Sequence, residues 1–307
     1  MKKASIVICT YNRAEILKLC LESLEALHLD RSLYEVVVVN NNCTDNTNEV
    51  VATFESRLPN LSIRLEEKVG VAHARNHALI YLEAEWIVYI DDDAKVFTDF
   101  TDQLQILFDN PKIEAFGGVD IPWYLYGKPI WMKDKYVQYT YKYKYKTPTI
   151  LNKNEYAIIG IMGLKRSLME KVGLFSTSLG MSGGKIAYGE EDEIQNRIRS
   201  FGSDIWFIPT LKIWHVVMPI KFNVDFYFKS GFALGRDKVK MEQIKPNFFY
   251  LVAVLIIAKL QLLVGLFIYT PQLLSKDYYL ENWLIDVFRK PTKRIGVIYT
   301  SLTWFRK

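Results

Sequence analysis

Cysteine is scarce in this chain of 307 residues: Cys9, Cys20 and Cys43 are the whole complement. An odd number at irregular spacing makes no disulfide framework, and no zinc pattern appears. A large charge excess is missing too. The 39 Lys and Arg against 34 Asp and Glu leave a formal net charge of +5. That imbalance is too weak to argue nucleic-acid binding and suits an anionic substrate or an anionic membrane surface. Nor does an export signal open the chain. Lys2 and Lys3 precede an apolar run that ends at Thr10-Tyr11-Asn12-Arg13, too short for a signal-peptide core and without a cleavage site. Reduced cysteines and no export signal make a cytoplasmic protein the expectation. What the chain does contain is globular material. Half of it is hydrophobic and 24% is charged, enough for one large α/β domain or one domain with an appendage.

The first hundred residues alternate between strand and helix patterns. Residues 4–9 form a short apolar run, consistent with a buried strand. Residues 14–29 carry Ile16, Leu17, Leu19, Cys20, Leu21, Leu24 and Leu27, the stripe of a helix covering a sheet. Strands are expected at Glu35–Val39, Leu61–Leu65 and Glu85–Ile90, with helices at Thr44–Leu58 and Gly70–Leu82. This order predicts a Rossmann-like, mostly parallel central sheet with helices on both faces. Ligands of such sheets bind beyond the carboxyl ends of the strands. The polar clusters Thr10–Arg13, Asn40–Asp45 and Asp91–Asp93 each follow an expected strand, so all three should converge on one edge.

Farther on, the pattern loosens. Tyr139–Lys146 alternates Tyr with Lys, which predicts a strand with one aromatic and one basic face. Such a strand is either a wall for sugar or phosphate or an edge strand protected by lysines. Residues 248–270 are long and apolar enough to consider a membrane span, but Lys259 and Gln261 interrupt them. Basic Arg289, Lys290, Lys293, Arg294, Arg306 and Lys307 follow, interleaved with Trp283, Phe288, Tyr299, Trp304 and Phe305. Residues 221–307 therefore read as a helical extension that lies on an anionic membrane face. The other reading is a buried helix that completes the core or forms a homo-oligomer interface.

Three aspartates, Asp91, Asp92 and Asp93, end a buried strand. Their repulsion falls if a divalent cation sits among them, and carboxylate oxygens suit Mg²⁺ or Mn²⁺. A solvated turn or helix cap explains one Asp but hardly three. A second cluster, Glu190-Glu191-Asp192-Glu193, follows a loop with Gly180, Gly183, Gly184 and Gly189 and opens a helix. The helix dipole accounts for one or two of these acids; four in a row look like a positioned general base. His215 sits in a short apolar strand, where a lone histidine is more often a satisfied core residue than a ligand.

The series Val7–Arg13, Val37–Asp45, Gly70–Asn76, Ile90–Asp93, Gly189–Glu193 and Trp214-His215 resembles, in order and spacing, the family 2 glycosyltransferases. These are inverting enzymes with the A-type nucleotide-diphospho-sugar transferase fold. The resemblance covers roughly residues 4–220, and Gly117–Pro122 with Pro129–Trp131 look like bacterial members that assemble surface polysaccharides. It implies a catalytic domain over 1–220, with 1–110 binding the nucleotide and 111–220 the acceptor. Thr10, Tyr11, Asn12, Arg13, Asn40 and Asn42 would line the donor pocket. Asn40 falls where the family usually has an Asp that accepts the N3–H of uracil; its amide oxygen can still accept. Arg75 would lie near the phosphates, and Asp92 near ribose or donor sugar. Asp91, Asp93 and His215 would hold the metal, with Asp93 the most direct ligand. The catalytic base would be Glu191 by register, with Asp192 as its rival. Met162 stands where the family often has an Asn, which points to a different sugar selection.

The resemblance thus implies transfer from a nucleotide-diphospho sugar, UDP-linked by preference, to a glycan or lipid-linked acceptor at the inner face of the cell membrane. Two other readings compete. A sugar nucleotidyltransferase would need a glycine-rich phosphate loop after the first strand, and Thr10–Arg13 has no glycine. A non-catalytic sugar-binding scaffold would show eroded acidic sites, and both clusters are intact.

Overall fold

The computed structural model describes every residue except Met1, His28, Arg31, Pro59, Tyr141, Lys142, Ile159 and 305–307, together with the side chain of Trp304. Part of the Tyr/Lys run and the Trp304–Lys307 end of the basic, aromatic tail thus lie outside the described residues.

Strand β1 (Ala4–Thr10) pairs in parallel with β2 (Tyr34–Asn40) on one side and β4 (Trp86–Asp91) on the other, and β2 pairs in parallel with β3 (Leu61–Leu65). The parallel arrangement stops there. Strand β8 (Ile161–Lys165) runs antiparallel to both β4 and β6 (Ala115–Trp123), and β6 pairs in parallel with the long β9 (Trp206–Val216). Two short strands, β5 (Ala94–Val96) and β7 (Thr149–Ile150), run antiparallel to β9. The sheet order is β3-β2-β1-β4-β8-β6-β9-β5, with β7 on β9. The sheet is therefore mixed. Its mostly parallel character holds for the four strands up to Asp91, whose connections carry helices, and not for the later ones.

Alternation along the strands makes two cores. Ile6 and Ile8 of β1 and Val36 and Val38 of β2 face Leu17, Cys20, Leu21 and Leu24 of α1 (Ala14–Glu25) and Leu104 of α4 (Phe100–Phe108). Val7, Val37 and Val39 point the other way. They pack with Ala74 and Ala78 of α3 (Val71–Tyr81), Leu168 of α5 (Arg166–Val172) and Ile194 of α6 (Glu190–Ser200). Side chains at i and i+2 share a face of a strand, so one apolar run supplies both layers. Truncating one of these leucines to alanine costs about 2–5 kcal/mol. Gly163 in β8 exists for contact: a Cβ there would enter the Phe116 ring.

Two sequence expectations fail locally. The helix expected over Thr44–Leu58 shortens to α2 (Thr47–Ala52). At its start Asp45 turns back to accept from Ala14 N, Thr47 N and Thr47 Oγ1. Past its end the chain passes into turns, with Phe54 N donating to the Val51 carbonyl and Arg57 N to the Phe54 carbonyl. Among the described residues of Tyr139–Lys146 no strand forms. Thr140 bonds the buried Asp120, Tyr143 OH donates to the Tyr156 carbonyl, and Tyr145 OH donates to Glu155. These tyrosines are anchored by their hydroxyls, which the period-two pattern does not reveal.

The chain divides into two compact units. The first holds 1–123, 138–177 and 191–216; the second holds 124–137, 178–190 and 217–307. The division is not the contiguous 1–220 and 221–307 of the sequence reading, since two segments of the 111–220 half join the helical unit. Its helices are α7 (Val224–Met241), α8 (Phe248–Tyr269) and α9 (Leu280–Trp304). Within it, Trp131, Met132 and Tyr136 cluster with Tyr227 and Ile285. α7 and α9 meet backbone to backbone: a Cβ on Gly235 would strike the Lys293 carbonyl, and one on Gly296 the Phe232 carbonyl.

Candidate functional site

Buried strands β1 and β4 lie side by side in register, with Cys9 opposite Asp91. Their carboxyl ends therefore deliver Thr10 and the aspartate triplet to the same place. Thr10 Oγ1 donates to Asp92 Oδ2 at 2.8 Å. Arg13, just past β1, reaches Asp92 Oδ1 at 3.0 Å and Asp93 Oδ2 at 3.2 Å. β5 then pairs Ala94 with His215 of β9, which places His215 Nε2 3.0 Å from Asp93 Oδ1. Arg75, 4% exposed on α3, lies 3.2 Å from Glu191 Oε1 and 4.0 Å from Asp91 Oδ1. Tyr89 OH holds the Arg75 carbonyl at 2.8 Å, and the Phe175 ring lies under the guanidinium.

The site is electrostatically loaded. Burial raises Asp92 to about 6; Arg13 opposes that rise and the charge of Asp93 adds to it. Asp91 is raised by burial first and by Asp93 second. Burial lifts the Cys9 thiol to about 12. Carboxylates this close repel unless cations stand among them. Arg13 and Arg75 supply part of that compensation. The rest points to a metal: one ligand atom each from Asp91, Asp93 and His215 lie within 4.8 Å of one another. Two carboxylates and an imidazole are a donor set that fits a hard or borderline divalent cation.

The other residues singled out in the sequence fall on either side of this cluster. Asn12 and Asn42 both adopt left-handed backbone, φ 54° and 60°, a conformation Asn tolerates better than most residues. Asn12 Oδ1 accepts from Thr44 N, and Asn12 N donates to Cys43 Sγ, which ties the loops after β1 and β2 together. Tyr11 stands exposed in the first of them. Asn40 is turned inward: Oδ1 accepts from Cys43 N at 2.7 Å and Nδ2 donates to Asn48 Oδ1 at 2.8 Å. Asp192 follows Glu191 on α6, but its charge acts on Tyr143 and Arg199. Met162 is fully buried in the core with Tyr89 and Ala157, so it lines no sugar pocket.

Two positions went unread in the sequence. Gly160 O accepts from Asp91 N, and a Cβ on Gly160 would stand 3.3 Å from Asp91 Oδ2. Tyr89, which orients Arg75, was the available signal: a phenol inside an apolar strand, two residues before Asp91, needs a partner.

Residues 5–173 match the family described as Glycosyl transferase family 2. That is more than half of the chain, and the protein belongs to this family. Glycosyltransferase AglE of Haloferax volcanii is 28% identical over 115 residues, 37% of this chain and 38% of AglE. The poly(ribitol-phosphate) β-N-acetylglucosaminyltransferase TarS of Staphylococcus aureus is 34% identical over 95 residues, 30% of this chain and 16% of TarS. The matches thus span well under two thirds of either relative's length. Among solved structures, mannosyltransferase PcManGT from Pyrobaculum calidifontis, in complex with GDP-Man and Mn²⁺, aligns with TM-score 0.67 at 18% identity. The alignment covers 99% of this chain and 88% of that one. TarS 1–349 of S. aureus in complex with UDP-GlcNAc aligns with TM-score 0.57 at 15% identity, over 100% and 92% of the two chains. These likenesses carry the fold, the mixed α/β arrangement of A-type glycosyltransferases with a C-terminal helical region.

Proposed function

We propose that the protein is an inverting, metal-dependent glycosyltransferase. It moves a sugar from a nucleotide-diphospho sugar, UDP-linked by preference, to a hydroxyl of a glycan or lipid-linked acceptor in polysaccharide or glycoconjugate synthesis. The observation that carries this reading is the convergence of Asp91, Asp93 and His215 within 4.8 Å, joined through Arg75 to Glu191. The family's membership and its donor-bound neighbours support it.

Asp91, Asp93 and His215 would hold Mn²⁺ or Mg²⁺, which when bound stabilises negative charge on a departing diphosphate. Arg75 lies between the aspartates and Glu191 and offers its guanidinium to the phosphates, a geometry suited to bidentate contact. Arg13 and Thr10 hold both oxygens of the buried Asp92, so Asp92 would contact ribose or donor sugar only through a remaining lone pair. Asn12 and Asn42 shape the two loops of the nucleotide pocket. Asn40 already serves two bonds within its loop, so its contact with the base uses the second lone pair of its oxygen.

Glu191 acts as the general base. It takes the proton of the acceptor hydroxyl while that oxygen attacks the anomeric carbon, and the bond from carbon to diphosphate breaks on the opposite face. Configuration at the carbon inverts. Glu191 is taken ahead of Asp192 because its carboxylate lies 3.2 Å from Arg75, which also borders Asp91.

Calorimetry with UDP, GDP and dTDP, with and without Mn²⁺, tests the donor site on wild type and Asp93→Ala. Metal-dependent binding of one nucleotide, lost in the variant, supports the reading and names the base. No binding of any of the three under either condition rejects it.

A further inference from the structure

Charge and apolar surface are distributed very unevenly along this chain. Residues 221–307 contain fourteen Lys and Arg against six Asp and Glu, a formal +8, while the whole chain is only +5. The same segment holds α8, whose apolar residues remain outside. Phe249, Ile256, Leu260, Leu263 and Phe267 are 52–85% exposed. Phe248, Val252, Leu255, Ile257, Val264 and Ile268 flank them, 36–71% exposed, so more than half of the helix circumference is apolar and uncovered. The opposite face carries the buried Val254 and Gly265. Lys259 lies among these residues, with Leu255 and Ile256 one turn before it. Its four-carbon stem lets the ammonium reach water while its neighbours are immersed.

We propose that α8 lies flat in the surface of an anionic lipid bilayer, immersed along its outer face, rather than crossing it. Length alone does not decide the matter, since a helix of 22 residues extends about 33 Å. Its partner decides it. α9 runs back along α8, with Val297 and Ile298 against Val254 and Val287 against Gly265. Between those contacts α9 carries Arg289, Lys290, Lys293 and Arg294. A crossing α8 would take these four cations and Lys259 to the middle of the hydrocarbon, where charge is expelled. α7 packs in turn on α9 through Gly235 and Gly296 and brings Lys229, Lys238 and Lys240. In the flat arrangement the exposed apolar side chains of α8 enter the acyl boundary and the surrounding cations meet anionic headgroups, which attract basic segments at the membrane surface. The inference does not depend on the donor chemistry proposed above.

The test uses the full chain with vesicles of phosphatidylglycerol or phosphatidylcholine. Flotation with phosphatidylglycerol vesicles is expected, at least tenfold weaker with phosphatidylcholine and in the Leu263→Glu/Phe267→Glu variant. Both positions are exposed, so that variant keeps its melting temperature and its nucleotide binding. Lys245→Cys and Lys276→Cys, which flank α8, are then treated with an impermeant maleimide outside sealed vesicles, with wild type as the control for the native thiols. Labelling of both ends supports the flat helix. One end protected until detergent is added means a crossing helix and overturns it. Absence of flotation, with or without lipid-free dimers formed through α8, overturns it as well. Nucleotide binding measured on the same samples keeps this outcome separate from the fate of the donor site.

Discussion

The unit that carries the aspartate cluster and the helical unit treat water in opposite ways. The first buries charge. Asp92 and Asp93 follow the end of buried β4, Arg75 is buried on α3 and Glu191 stands at the start of α6, and each of these charges has a named counterpart. The second leaves apolar residues outside: Phe267 is 85% exposed and Leu274 92%. Desolvation penalises a buried charge unless it is paired or hydrogen-bonded, and clusters of such charges concentrate at functional sites. An exposed apolar helix face is kept only where something apolar covers it. On the two proposals above, the first unit would meet a charged small molecule and the second an apolar surface.

Substitutions can break that contrast. The largest effect is expected from Asp93→Ala, which removes a ligand atom and the partner of both Arg13 and His215. Loss of roughly a thousandfold or more in kcat/KM, the scale of several kcal/mol of charge stabilisation, should appear in transfer assays. Chelation of divalent ions should reproduce the loss in wild type and add nothing in the variant. Next comes Glu191→Gln, expected to lower kcat by about 10²–10⁴ with little change in donor affinity from lost contacts alone. Asp192→Asn should stay within a few fold; the reverse ranking would move the base to Asp192. Core against surface gives the sharpest stability comparison. Leu21→Ala in α1, fully buried, should cost about 2–5 kcal/mol in denaturant unfolding. Leu260→Ala in α8, 54% exposed, should stay within about 0.5 kcal/mol without lipid. Equal costs would mean that α8 is covered in solution, and the contrast would fall.

How much of this could be read from residues depends on which force shaped each stretch. β1, β2 and β4 are buried on both faces, so they appear as apolar runs closed by polar residues, and their ends land where the pattern puts them. The resemblance supplied what patterning does not: that His215, distant in sequence, meets Asp93. Later strands carried weaker signals. β8 is short, contains Gly163, and owes its direction to pairing between β4 and β6, which no local period encodes. Tyr139–Lys146 misled because side-chain hydroxyls, not alternation, hold Tyr143 and Tyr145. Asn40 kept its place, but its bonds to Asn48 and Cys43 N are properties of a folded loop. The division into units was illegible for a similar reason: 124–137 and 178–190 join the helices through aromatic contacts such as Trp131 with Tyr227, made across a long stretch of chain.

Arg75 has one guanidinium and two carboxylates to serve, Asp91 and Glu191. With Arg75 on the diphosphate and Glu191 on the acceptor, as proposed above, that shared position would make the two halves of the reaction reciprocal. A diphosphate that draws Arg75 to itself alters what Glu191 experiences, and by linkage whatever engages Glu191 must change donor affinity by the same factor. Order of substrate arrival would then follow from a single side chain. Donor binding to Glu191→Gln, measured with and without acceptor, shows the linkage as a coupling that shrinks toward unity when the second carboxylate is neutralised; an unchanged coupling would place the communication elsewhere.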